Sequence, residues 1–291
     1  MATKKKKRSF DRVVAIDLGN GLVKIRSIDS NGEKYLLSLP CAWAYKKDLG
    51  DKLHSKEFDL DTYTINDVEY IWGKDIAELD GSKLKVAIGH DNRYKSELYK
   101  IMAKIAMAKV AYDLDIKPTE KIYLVTGVPS GETNTLRENE IQVAFLGDKE
   151  GGNELHEVEV NNQPHLFRIA HVEVMSQPVA TVIGKYLDED GYVADDEYEK
   201  LKVGVIDIGG GTTDLDIVDC LQRQGNYTSI PKGFSDVYAP IRKLIKSKYP
   251  SHDVSDYKLL ACFEEEMKYQ PNKRAEPIDF ESAFEEGIQE V

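Results

Sequence analysis

The sequence predicts an α/β protein made of two related domains, and three observations predict it. AIDLGNG (Ala15 to Gly21) and VIDIGGG (Val205 to Gly211) each run from apolar strand residues into an aspartate and a glycine turn. Laid over each other at an offset of 190 residues (207 − 17), they match at Ile16/Ile206, Asp17/Asp207, Gly19/Gly209, Gly21/Gly211 and Asp29/Asp219. Between the copies, a helical pattern followed by an apolar strand implies parallel strands in a helix-flanked sheet. Either hairpin alone reads as an ordinary strand and turn; together they mark a duplicated unit.

Taken in order, Lys4-Lys5-Lys6-Lys7-Arg8 reads as part of a solvated tail over residues 1–11, since no apolar stretch follows to make it a secretory signal. Arg12 to Leu18 and Gly21 to Ile28 form a hairpin. Residues from about 45 to 95 turn polar and irregular, with short strands at Thr62 to Ile65 and Glu69 to Trp72, as in a small insertion. From Glu97 to Tyr112, apolar residues Leu98, Ile101, Met102, Ile105, Ala108 and Tyr112 recur at helical spacing, predicting an amphipathic helix. Lys121 to Thr126 reads as a buried strand leading into Gly127-Val128-Pro129-Ser130. The strand Val172 to Met175 runs into Ser176-Gln177-Pro178, where the proline suits the first turn of a helix reaching about Leu187. Asp188 to Lys202 is an acidic connection, and the boundary between a 12–187 domain and a 188–291 domain is placed there. Lys202 to Ile208 and Thr212 to Val218 then repeat the opening hairpin.

Composition excludes some function classes. With 41% hydrophobic content over 291 residues, the chain can bury two medium cores. A formal charge of -12 sets the body against direct nucleic-acid binding. No stretch approaches the length needed to span a bilayer. Three scattered cysteines, Cys41, Cys220 and Cys262, suit reduced thiols in a cytoplasm and offer no zinc spacing.

The paired turns suggest a chemistry. Glycines without Cβ atoms let backbone N–H groups cradle phosphate oxygens. Carboxylates beside phosphate would repel it, but Asp17 and Asp207 suit the water shell of a Mg²⁺ ion that neutralises the charge. Two such tips facing each other would clamp one phosphate chain.

These residues resemble the actin superfamily of ATPases. Asp17-Leu18-Gly19-Asn20-Gly21 with Lys24 resembles its first phosphate motif, and Asp207-Ile208-Gly209-Gly210-Gly211-Thr212-Thr213-Asp214 the second. The Lys121 to Pro129 strand and the Val174 to Pro178 corner are most similar to the bacterial plasmid-segregation actins, the ParM and Alp relatives. The resemblance runs from about Val13 to the C-terminus. It implies duplicated ribonuclease-H-like domains, mixed sheets flanked by helices, with a nucleotide cleft between them. It further implies that Asp17 and Asp207 organise Mg²⁺, that Lys24 reaches the β- and γ-phosphates, and that Gly19, Asn20, Gly21 and Gly209, Gly210, Gly211, Thr212 and Thr213 donate to phosphate. Gln177 falls where the family positions the attacking water, and an amide that both donates and accepts suits that task. Gly233 resembles a glycine bend near ribose and phosphate. Glu265 and Lys268, on an acidic helix expected over Leu259 to Lys268, stand where chaperone relatives contact adenine.

The family carries a third glycine-rich motif near its C-terminus that packs on adenosine, and nothing from Asp219 to Val291 reads that way. The expectation is a chain cut short, or a purine site that is weak or completed by a partner subunit. The function implied is an ATP- or GTP-driven filament protein, self-associating and linked to plasmid DNA through an adaptor protein. The alternatives are a small-molecule kinase of the same fold and a non-hydrolysing scaffold. A kinase needs an aspartate base and a substrate pocket that no segment supplies.

Overall fold

The computed structural model describes residues 10–49, 58–86, 92–147, 154–272 and 274–290. The basic cluster Lys4 to Arg8 lies outside them. Strand β1 (Arg12–Leu18) buries Val14, Ile16 and Leu18 on alternate positions, and β2 (Leu22–Ile28) buries Val23 and Ile25 in the same rhythm. With β3 (Lys34–Pro40) they form an antiparallel meander.

A second sheet stands beside this one. Strand β4 (Ala42–Tyr45) leads into the segment expected as a small insertion, and β5 (Asp61–Ile65), β6 (Val68–Trp72) and β7 (Lys85–Val86) lie within it. They are joined, across nearly a hundred residues of chain, by β9 (His156–Val160) and β10 (Gln163–Phe167), giving the order β10-β9-β5-β6-β4-β7 once α1 (Glu97–Asp113), β8 (Ile122–Val128) and α2 (Leu136–Leu146) have intervened. Trp43, Tyr63 and Trp72 are fully buried in it. This is a six-stranded layer that shares its core with the first sheet.

Helix α1 starts where Ser96 caps it, its hydroxyl accepting from the Tyr99 N–H at 3.2 Å. The expected apolar stripe is exceeded: Ala103, Ala106, Met107, Val110 and Ala111 are buried too, because the helix lies within the common core. Strand β8 and β11 (Ile169–Ser176) run parallel to β1, completing the order β11-β8-β1-β2-β3.

Buried His156 stacks on Phe167 with ring centroids 5.1 Å apart. Burial, with the Lys104 charge adding to it, pushes its imidazole down to about 4 from an ordinary 6.5. The unfolded chain therefore takes up this proton first, so stability is lost as pH falls from about 6.5 to about 4, by about 3 kcal/mol. Urea midpoints across that range are expected to show the loss in the wild type and not in His156→Phe; parallel curves would exclude it.

Helix α3 (Gln177–Tyr186) follows β11 directly, with Pro178 in its first turn. It buries Val182 against Val205 and Val218 of the third sheet, β12 (Lys202–Ile208), β13 (Thr213–Asp219) and β14 (Gln222–Ile230). This sheet repeats the β1-β2-β3 meander at the 190-residue offset. In both copies the turn closes through the same bond, Gly19 N–H to Leu22 O at 3.1 Å and Gly209 N–H to Thr212 O at 2.8 Å. Helix α4 (Phe234–Lys248) starts directly after Gly233, whose N–H donates to the Asp236 carboxylate at 3.0 Å. Helix α5 (Asp256–Glu265), the short pair β15 (Lys268–Tyr269) and β16 (Ile278–Asp279), and α6 (Glu281–Glu290) pack with α4 around Ile241, Leu259 and Phe280. No helix among the described residues is long and apolar enough to cross a membrane.

Candidate functional site: a cleft between paired glycine turns

The two duplicated turns meet. A Cβ on Gly210 would stand 3.5 Å from the Asn20 Cβ and 3.7 Å from the Gly21 nitrogen, so the gap between the tips has room for no more than about a methyl group. Beside them opens a cavity of about 510 Å³, within the range of small-ligand sites. Asp17, Gly19, Asn20, Gly21, Lys24, Gln177, Asp207, Gly209, Gly210 and Thr212 all line it. Residues predicted from two distant segments and a strand-to-helix corner thus line one cavity.

Register explains the electrostatics. Asp17 stands across the first hairpin from Lys24, with Nζ 3.7 Å from its Oδ2. The equivalent of Lys24 in the second hairpin is Asp214, so Asp207 faces a second carboxylate. Partial burial, then the charges of Asp214 and Asp17, hold the Asp207 carboxyl above its usual range, and Lys24 only partly opposes them. Asp214 is buried, and its Oδ1 has no hydrogen-bond partner. A cation is the natural complement of such a pair. Among the described residues no cluster of three or more His, Cys, Asp or Glu side chains is arranged to hold a metal directly.

Gln177 reaches this centre from the corner between β11 and α3, passing over Gly127 near the end of β8. A Cβ on Gly127 would stand 2.9 Å from the Gln177 Cγ, so only glycine lets the side chain lie there. From that position the amide Nε2 donates to Asp17 Oδ1 at 3.3 Å.

The remaining predicted residues divide. Gly211 and Thr213 do not line the cavity; the Thr213 hydroxyl donates to Lys232 O at 3.0 Å. Gly233 braces the second turn from behind, where a Cβ would come within 2.6 Å of Gly209 O. The helix expected over Leu259 to Lys268 is displaced: α5 ends at Glu265, Met267 takes a left-handed φ of 53°, and Lys268 opens β15. Lys268 is exposed, ion-paired to Glu266 at 2.8 Å, and is not among the cavity residues. The Glu265 side chain lies outside the described residues. What α5 presents to the cavity is its opposite end, Ser255 to Tyr257, and Leu260.

Sequence reasoning missed two groups here. The Tyr257 hydroxyl donates to Cys41 O at 3.0 Å, fixing α5 against the strand that follows the first hairpin. Arg93, on a short helical turn before α1, also lines the cavity. Its only signal was an arginine between an asparagine and a tyrosine ahead of a helix cap, which reads as surface.

The family model for the actin-like proteins' N-terminal domain matches residues 15–179. The chain belongs to the actin-like protein family. Its fold agrees with that assignment. The apo pSK41 ParM structure superposes with a TM-score of 0.65 at 20% identity, covering 96% of this chain and 77% of that one. A 15-stranded ParM filament from Clostridium botulinum gives 0.64 at 17% identity, covering 96% and 80%. Bacillus thuringiensis ParM with ATP gives 0.58 at 15% identity, covering 96% and 80%. No curated protein matches the sequence of this actin-like chain.

Proposed function

We propose that this actin-like protein is a nucleotide-driven filament former that hydrolyses ATP and serves plasmid DNA segregation through an adaptor protein, its two halves dividing near residue 188. The observation that carries the reading is the close approach of Gly210 to Asn20: two copies of one glycine turn face a single cavity with Asp17, Asp207 and Lys24 around it. Relatives of this fold solved as a filament and with ATP support it.

The parts divide the work by their chemistry. Backbone N–H groups of Asn20, Gly21, Gly210 and Thr212, which line the cavity, would cradle phosphate oxygens, while those of Gly19 and Gly209 close the turns. Lys24 would add a point charge at the outer phosphates. Asp17 and Asp207, with the orphaned Asp214 oxygen behind them, fit a Mg²⁺ ion held largely through water. Such an ion would neutralise phosphate charge as the terminal phosphoryl group departs. Gln177 is a poor base, so its amide would orient the attacking water. An acidic body of net charge -12 would require the adaptor to grip DNA.

Light scattering with ATP, with ADP and without nucleotide, run beside a product assay, tests the proposal. Polymer that depends on ATP, with phosphate release, is expected. A phosphorylated small product would favour a kinase, and neither signal would leave a scaffold. Gln177→Ala is expected to slow phosphate release about 100-fold, the scale of a misplaced reactant, and to change nucleotide affinity less than about 3-fold. Unchanged hydrolysis would remove Gln177 from the mechanism.

A further inference from the structure

The two glycine turns are built alike but braced differently. Beside the second turn, and also lining the cavity, stands the start of α4: the Phe234 N–H donates to Gly209 O at 3.1 Å and the Ser235 N–H to Gly210 O at 2.8 Å. At the first turn the Tyr257 hydroxyl donates to Asn20 O, the counterpart of Gly210 O, at 3.4 Å, and a guanidinium holds two further acceptors. Arg93 Nη2 donates to Leu18 O at 2.5 Å, and Nη1 to Asn20 Oδ1 at 2.6 Å.

We propose that Arg93 is the positioning residue of the first phosphate turn, setting the orientation in which Asn20 and Gly21 meet a phosphate group. The inference rests on the nucleotide-binding reading above. A peptide unit is planar, so holding Leu18 O also fixes the Gly19 N–H on the same plane. That N–H is held from its other side by Leu22 O at 3.1 Å, which leaves the peptide no freedom to flip. The second bond holds the Asn20 side chain, whose Cβ lies against the opposing tip at Gly210. One planar fork thus sets both the backbone of the turn and its contact with the other copy.

The fork is itself held still. Tyr94 and Tyr99, each almost fully buried, place their rings 5.0 and 5.5 Å from the guanidinium carbon. The Tyr94 hydroxyl donates to Glu132, and the Ser96 hydroxyl donates to Arg93 O at 2.6 Å. Both acceptors of the fork are neutral, so the cation keeps its charge beside the cavity. Lysine would keep that charge but has no planar pair of donors.

The test measures binding of a fluorescent ATP analogue with Mg²⁺ to the full chain and to Arg93→Met, Arg93→Lys, Asn20→Ala, the Arg93→Met/Asn20→Ala double variant and Lys24→Ala. Loss of two charge-assisted bonds is expected to weaken binding on the order of 10- to 100-fold in Arg93→Met, and Arg93→Lys is expected to recover only a minor part. Asn20→Ala is expected to weaken binding less. The double variant is expected to bind no worse than Arg93→Met alone, because the two residues act as one device. Losses that multiply would mean that Arg93 touches phosphate independently of Asn20, and would overturn the proposal. Full recovery in Arg93→Lys would do the same, since charge alone would then suffice. Nucleotide-free melting separates folding from function: a binding loss that appears only in variants already unfolded also rejects a positioning role. If the wild type binds and Lys24→Ala does not, while Arg93→Met binds as wild type, Arg93 is wrong and the nucleotide reading stands. If the wild type shows no saturable binding, the nucleotide reading itself falls.

Discussion

Replacing Arg223 by methionine is expected to remove about 3–5 kcal/mol of folding stability, the cost of leaving a buried carboxylate without its partner. That carboxylate is Asp216, whose side chain is 1% exposed, with the Arg223 Nε 3.5 Å from its Oδ2. The same guanidinium donates to Ser130 O at 2.7 Å and lies 5.0 Å from the Tyr227 ring. It therefore ties β13 and β14 to the loop after β8, and its removal loosens the joint between the first and third sheets as well as the core. Urea denaturation of Arg223→Met, Asp216→Asn and the double variant would measure the effect. The double variant should recover much of the loss, because the stranded charge is gone. A loss below about 1 kcal/mol in Arg223→Met would place the pair among solvent-screened ion pairs and refute the account.

Asp207→Asn is expected to act in opposite directions on activity and stability. Phosphate release should fall 10²- to 10³-fold, roughly the effect of deleting one electrostatic contact to a transition state. The nucleotide-free protein should become more stable at neutral pH. The folded carboxyl titrates above the ordinary 3.8, so just above that value the native state holds a proton that the unfolded chain has released. Wild-type stability from this group therefore declines as pH rises through the window, and the deficit persists above it. Asparagine carries no such deficit. Thermal melts of both proteins from pH 4 to 7 provide the measurement, and a variant no more stable than wild type at pH 7 would contradict it. Nucleotide with Mg²⁺ should raise the melting temperature of the wild type more than that of the variant.

Much of this was legible in the sequence because some features are local. Strands β1 and β12 begin and end at the residues read from the chain, since apolar alternation stops at an aspartate followed by a glycine turn. The corner at Gln177 was legible for the same reason, a strand running into a proline-started helix. What escaped depends on distant pairing. Val160 meets Tyr63 in a register that no nearby residue announces, so an apparent insertion became half of a six-stranded sheet. Arg93 escaped because it acts on a carbonyl and an amide far along the chain, and such acceptors leave no motif. Lys268 was misplaced because the helix stops on a left-handed methionine, a residue that does not advertise that conformation.

Helix α3 has its cavity-facing end against the first sheet and its anchor in the third. Gln177 touches Asp17 of the first sheet, while Val182, about 7.5 Å farther along at helical rise, is sunk into the third. The helix is thus a short lever: a swing of ~10° about the anchored valine carries the amide through ~1.3 Å, and a misplacement of about 1 Å is enough to change a rate about a hundredfold. If the chain hydrolyses nucleotide within a filament as proposed, a neighbouring subunit that twists one sheet against the other by so little would switch turnover on or off from a distance.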